Sequence, residues 1–247
     1  MELYFIRHAQ SINNANWEKE GYRSHPDPEI TAIGEVQVRY LTEFLSNNQS
    51  RVESKTWNSY NQYGFGLTHL YSSLMVRALD TAAPVAQALQ LPFVAWPEIH
   101  ETGGIFSRAD DDYREGLPGK TRSELLARYP NLILPDWVGE DGWWQSRPFE
   151  EDHQSAHRAN AVWEELLQRH GDQPGRPEHR VAFVSHGGFF MRLLLSALQV
   201  EMPPRNKELH EFWFLMNNCA ITRLDVKDQV LIAYTNRSDF LPAHLIT

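Results

Sequence analysis

Two histidines in this chain stand directly after short apolar runs. His8 follows Leu3-Tyr4-Phe5-Ile6-Arg7, and His186 follows Val181-Ala182-Phe183-Val184-Ser185. Each run is rich in strand formers and stops at polar residues, the pattern of a buried strand that hands its last side chains to a loop. Arg7 adjoins the first histidine. Arg77 lies in Ser72-Ser73-Leu74-Met75-Val76-Arg77-Ala78, at the start of a helix that follows another apolar run. Two imidazoles and two guanidiniums brought to one point suit phosphoryl transfer. The guanidiniums grip the equatorial oxygens, one imidazole attacks phosphorus, and the second stabilises the developing charge as donor or cation. A neutral imidazole nitrogen is nucleophilic near pH 7, so the reaction needs no activating metal. Singly, each residue reads equally well as a structural group. Their order, spacing and placement at strand ends are what point to a site.

For these residues to meet, their strands must share a sheet with carboxyl ends on one edge. The sequence predicts strands over 3–6, 67–72, 91–96, 180–185, 211–216, 220–225 and 230–235. It predicts helices over 31–45, 74–89, 121–129, 151–170 and 189–198, with Thr31 as the N-cap of the first. Such alternation implies βαβ units and an α/β fold: a three-layer α/β/α sandwich around a mostly parallel central sheet. Sheets of this kind bind ligands beyond the carboxyl ends of their strands. Residues 46–66 are polar and rich in Asn and Ser, which predicts a surface insertion. Residues 171–179 read as a turn-rich linker. Residues 1–247 are expected to form a single domain, with a lid-like insertion at about 98–150.

Composition narrows the partners. The 247 residues carry 23 basic and 32 acidic side chains, a net charge of −9, which is a poor footprint for nucleic acid or an anionic membrane. A local basic cluster can still hold a small anion, and Arg outnumbers Lys by 18 to 5. The longest apolar runs fall short of the ~18 residues of a membrane span. Cys219 is the single cysteine, which excludes an internal disulfide and a cysteine-built metal site; it reads as a small buried hydrophobe. Residues 1–7 lack the basic and apolar stretches of a secretory signal, so a cytoplasmic protein is expected.

The stretch Arg7-His8-Ala9-…-Asn14 resembles the signature of the histidine phosphatase superfamily, the phosphoglycerate-mutase-like proteins. The resemblance continues through Ile30-Thr31-Ala32-Ile33-Gly34-Glu35-Val36-Gln37, Tyr71-Ser72-Ser73…Arg77-Ala78…Thr81-Ala82, Glu150 with Arg158, Ser185-His186-Gly187-Gly188 and Asn218-Cys219-Ala220-Ile221-Thr222. It implies that His8 is the nucleophile that becomes phosphohistidine. Arg7, Arg77 and His186 would form the phosphate pocket, with Asn14 a further contact. Glu101, shortly after the third strand, would be the acid that protonates the leaving oxygen and then the base that activates water; Glu98 is the weaker candidate. No cofactor and no metal are implied. Ala9 departs from the glycine common at its position, and is read as a tolerated variant.

The same resemblance separates two reactions. Phosphoglycerate mutases carry a Glu-Arg-x-Tyr-Gly run and a paired Arg-Arg after the acidic residue. Here the segment reads Glu101-Thr102-Gly103-Gly104-Ile105-Phe106-Ser107-Arg108, and Arg108, Arg114, Lys120, Arg122 and Arg147 are scattered. Hydrolysis of a small phosphorylated metabolite is therefore expected, with mutase chemistry as the first alternative and a non-catalytic phospho-ligand module as the second. Trp137, Trp143, Trp144 and Phe149 either cap a pocket or form a second small core. His153 and His157 have i, i+4 spacing for a metal-dependent rival, but no third ligand lies nearby in sequence, so an exposed helix face is the expectation.

Overall fold

The computed structural model describes residues 1–52, 56–108, 114–200 and 214–247. Its central sheet has seven strands: β1 (Glu2–Arg7), β2 (His69–Ser72), β3 (Phe93–Ala95), β6 (Leu132–Ile133), β7 (Arg180–Ser185), β8 (Ile221–Val226) and β9 (Val230–Arg237). The order is β6-β3-β2-β7-β1-β8-β9. The first five run parallel, and β8 is antiparallel to both β1 and β9. A separate hairpin joins β4 (Phe106–Arg108) to β5 (Arg114–Gly116).

Alternation along β1 divides the core. Tyr4 and Ile6 face one side, in a cluster with Val38, Leu41 and Leu45 of α2 (Ala32–Asn47) and with Leu79, Ala82 and Val85 of α3 (Val76–Leu89). Leu3 and Phe5 face the other, against Ala159, Val162 and Leu166 of α5 (Asp152–His170) and Phe190, Leu193 and Leu194 of α6 (Gly187–Ala197). This is the expected three-layer α/β/α sandwich, because side chains of a strand alternate between faces that both need covering. Thr31 caps α2 by accepting the Gly34 N–H at 3.1 Å. Two further α-helices are short, α1 (Ile12–Asn16) and α4 (Arg122–Arg128). The five-residue α1 escapes periodicity, since it has no buried residue to mark a face. No helix among the described residues is long and apolar enough to cross a membrane.

Three expectations need correction or qualification. The 46–66 segment is not merely a surface insertion. Phe65 is fully buried, and the amide of Asn61 donates to the Tyr4 hydroxyl at 2.6 Å and accepts from Tyr234 at 2.7 Å. Its Asn-rich composition serves buried hydrogen bonds rather than solvent. The strand expected over 211–216 lies largely outside the described residues, and residues 214–216 form no strand. The 98–150 segment is anchored to the body: β6 extends the main sheet, and Leu125, Leu132, Val138, Trp143 and Trp144 join the core.

Trp143 and Trp144 are therefore core residues, whereas Trp137 is exposed. Replacing a fully buried Trp with Ala typically costs 3–5 kcal/mol. Trp143→Ala is expected to lower stability by about 4 kcal/mol in urea unfolding, and Trp137→Ala by less than about 0.5 kcal/mol. Similar losses at the two sites would place Trp143 outside the core.

Candidate active site

Two adjacent parallel strands deliver the histidines. Arg7 of β1 is in register with Ser185 of β7, and the His8 N–H donates to the Ser185 carbonyl at 2.9 Å. The next residue on each chain is a histidine, and their ring centroids lie 5.1 Å apart. The neighbouring β2 ends at Ser72, and α3 starts at Val76, so Arg77 falls in the first turn of a helix that leaves the same edge.

Hydrogen bonds orient the His8 ring. Its Nδ1 lies 2.7 Å from its neighbour's carbonyl, that of Ala9, and a carbonyl can only accept. Nδ1 therefore carries the proton, and the lone pair is on Nε2. Arg77 Nε donates to that Nε2 at 3.1 Å. Burial first, then the charges of Arg77 and Arg7, holds His8 well below the usual histidine range, so it is neutral. His186 is also held well below that range, by burial and then by Arg77, and its Nε2 meets Ser73 Oγ at 2.9 Å. His186 Nδ1 and Arg7 Nε are buried polar atoms without a protein partner.

Glu101 reaches the same edge from the loop after β3. Its carboxylate accepts the N–H groups of Thr102 and Phe189 at 2.9 Å and of Gly188 at 3.2 Å. It is thereby seated on the first turn of α6, the helix that begins just after His186. A Cβ at Gly188 would stand 2.5 Å from Glu101 Oε1, so a larger residue there would have to push the carboxylate aside. The loop is braced from behind. Arg158 forms a two-pronged pair with Glu150, 2.6 Å for each contact, and donates to the carbonyls of Glu98 and His100. Glu98 is exposed and makes no hydrogen bond or ion pair to His8.

Asn14 sits one step out. Its Oδ1 accepts from Ser11 N at 3.1 Å and from Asn218 Nδ2 at 3.2 Å, while Asn218 Nδ2 also donates to the His8 carbonyl at 2.9 Å. Ala9 is fully buried without a positive φ, and its N–H meets Thr81 Oγ1 at 3.0 Å, so a methyl group is accommodated there. Cys219 is buried, and burial pushes its thiol up, in keeping with a packing role. His153 and His157 are exposed on α5 and belong to no ligand cluster among the described residues.

The sequence reading passed over Asp27. Its Oδ1 accepts the Val76 N–H at 3.0 Å, capping α3, and lies 4.0 Å from Arg77. Burial pushes its carboxyl up to about 6, against the pull of Arg77. Asp27-Pro28 reads as a turn in the linear chain, and no local pattern links it to a helix 49 residues further on.

The model of the histidine phosphatase superfamily (branch 1) matches residues 3–234. No curated protein matches the chain significantly. Among solved structures, the mycobacterial glucosyl-3-phosphoglycerate phosphatase complexed with VO3 aligns with a TM-score of 0.56 at 21% identity, covering 96% of this chain and 99% of that one. Phosphoserine phosphatase from Entamoeba histolytica, in complex with 3-phosphoglyceric acid, aligns at 0.57 and 19% identity, covering 98% and 99%. Ecdysone phosphate phosphatase from Bombix mori, in complex with tungstate, aligns at 0.57 and 13% identity, covering 93% and 91%.

Burying neutral histidines makes stability depend on pH. His8, His100 and His186 all have native pKa values below the unfolded one, which is about 6.5. As pH falls through about 6.5, the unfolded chain takes up protons that the native state refuses. Stability then drops by up to about 1.4 kcal/mol per pH unit for each histidine. Asp27, raised to about 6, opposes this as it protonates, by about 1 kcal/mol. Urea unfolding at about pH 7.5 and about pH 5.5 is expected to show a loss of a few kcal/mol at the lower pH. Equal stability at both would mean that these rings are not buried neutral.

Proposed function

The chain belongs to the histidine phosphatase superfamily, and from that premise we propose that it is a metal-independent phosphomonoesterase. Its substrate is a small phosphorylated molecule, and the reaction passes through phosphohistidine at His8. The observation that carries this reading is the His8 ring itself. It is buried and neutral, its Nε2 lone pair is fixed by the Nδ1 contact to Ala9, and a guanidinium and a second imidazole stand beside it.

In the first half-reaction, His8 Nε2 attacks phosphorus and the P–O bond to the alcohol breaks. Arg7 and Arg77 hold the equatorial oxygens, and the buried Arg7 Nε is a donor ready for one of them. His186 stands on the flank of the His8 ring and faces the charge that builds on those oxygens. Glu101, which must first take up a proton, gives it to the departing alkoxide. In the second half-reaction, water attacks phosphorus, its proton passes to the Glu101 carboxylate, and the P–N bond breaks to restore neutral His8. Asn14 has its Oδ1 committed to Ser11 and Asn218. Its amide donor is what it offers to a phosphate oxygen.

Hydrolysis is favoured over transfer to a second alcohol because, among the described residues, cations of the 98–150 segment are engaged elsewhere. Arg122 donates to the carbonyls of Pro135 and Val138, and Lys120 pairs with Glu124. Arg147 stacks on Trp144 and Arg114 on Phe149. The neighbours complexed with VO3, tungstate or 3-phosphoglyceric acid support an oxyanion as ligand.

Phosphate release from a panel of phosphomonoesters in excess EDTA tests the reading, with 3-phosphoglycerate included both with and without its bisphosphate cofactor. Wild type is expected to release phosphate in chelator, and His8→Ala to lose at least about a thousandfold in kcat while staying folded. Release that needs metal, or near-normal turnover by His8→Ala, would overturn it. Cofactor-dependent isomerisation without release would establish the mutase instead. Glu101→Gln supplies an independent check on the acid. It is expected to slow esters of poor leaving groups by about 100-fold or more, and p-nitrophenyl phosphate far less, because a nitrophenolate departs without a proton. Equal losses on the two substrates would assign the acid to another group.

A further inference from the structure

A second group of histidines gathers at the opposite edge of the sheet, where the strands begin. His69 opens β2, His179 immediately precedes β7, and His170 is the last residue of α5. One ring nitrogen from each lies within 4.8 Å of the others. The ring centroids are 4.6 Å apart for His69 and His170, 4.5 Å for His69 and His179, and 5.1 Å for His170 and His179. None of these side chains takes part in the phosphate site.

We infer that His69, His170 and His179 form a three-histidine site for a divalent transition metal of the Zn2+ class. Two of the three rings, His69 and His170, have the partner that a ligating imidazole needs on its other nitrogen. Thr68 Oγ1, which also contacts Arg180 N and the Arg180 carbonyl, lies 2.8 Å from His69 Nδ1, and metal binding requires the ring to donate this contact. That leaves the His69 lone pair on Nε2. His170 Nε2 meets the Tyr71 hydroxyl at 3.0 Å, which turns Nδ1 inward. His170 Nδ1 and His179 Nδ1 then lie 2.9 Å apart, so at least one of them is unprotonated. Burial, followed by His69 and His179, holds the His170 imidazole down to about 3, in keeping with a neutral ring.

Two nitrogens bound to tetrahedral Zn2+ at ~2.0–2.1 Å stand about 3.3 Å apart. The cluster therefore needs the 2.9 Å pair to open by a few tenths of an ångström, and the longest separation to close. A solvent molecule completes four-coordination. The charges nearby decide the metal class. Arg176, Arg180 and the N-terminal amine bring positive charge toward His179, and Asp172 opposes them. Mg2+ and Ca2+, which rely on anionic oxygen, are disfavoured. Neutral imidazoles select Zn2+, Co2+, Ni2+ or Cu2+. The bound ion would tie the end of α5 to the starts of β2 and β7, at the turn-rich 171–179 segment.

The test uses full-length protein stripped with chelator and dialysed. It is titrated with Zn2+ by calorimetry and with Co2+ by the visible absorption of the tetrahedral ion, and thermal unfolding is followed alongside. One equivalent is expected to bind, with Tm raised by several degrees. His179→Ala, in a partly exposed loop, is expected to weaken binding by at least about 100-fold. His69→Gln provides a second variant should His179→Ala unfold. His153→Ala/His157→Ala and His8→Ala are expected to bind as wild type does. No saturable binding at a several-fold molar excess would overturn the assignment. So would binding that survives both His179→Ala and His69→Gln, or that disappears with the α5 pair or with His8.

Discussion

The parallel pairing of β1 with β7 is the constraint on which the site depends. Arg7 opposite Ser185 puts His8 and His186 one step beyond the last rung of the ladder, on neighbouring strands of the same edge. A slip of one residue would turn every side chain of β1 to the other face and send Tyr4 and Ile6 into the wrong layer. The hydrophobic alternation that stabilises the sandwich is thus the same feature that sets the two imidazoles side by side. Stability and the geometry of the candidate site are here a single specification.

That pairing brings a cost, because it buries charge. Two guanidiniums and two neutral histidines share a water-poor edge, and the protein offsets this locally rather than by net charge. Asp27 and Glu101 are the acidic groups that draw Arg77, and Glu101 draws Arg7 as well. The sheet's far side shows the same economy of charge. Arg223 is buried and is answered by Glu2 and Asp225, while Glu2 is shared with Arg51. Removing one partner from such a network leaves an uncompensated buried ion. An overall charge of −9 says nothing of this, since it averages over a surface that never meets the site.

Much of this was legible in the sequence. The short apolar runs ending at His8 and His186, and the helix opening near Arg77, are local patterns, and local patterns survive in one dimension. Glu101, expected from the family resemblance, does reach the same edge, where it meets the start of α6. What lay beyond reach was of two kinds. Asp27 caps a helix far along the chain, a pairing that only tertiary structure creates. The Asn-rich 46–66 segment looked like solvent-facing loop because polar composition does not distinguish exposed amides from buried, satisfied ones such as Asn61. The three histidines at the strand starts were invisible for the first reason: 101 residues separate His69 from His170, and nothing in either neighbourhood announces the other.

The contact between Arg77 and His8 shapes what the proposed nucleophile will accept. The lone pair of His8 Nε2 already receives a hydrogen bond from Arg77 Nε. An incoming electrophile must lift the guanidinium off that nitrogen before it can react. A phosphate ester brings its own oxygen anions, to which the guanidinium transfers, so one charge-assisted bond replaces a weaker one. A neutral electrophile, such as a carboxylic ester or an alkyl halide, offers no such anion, and the guanidinium stays where it is. The imidazole is thereby sheathed against adventitious alkylation and acylation, and the sheath opens only to a ligand that can pull it away.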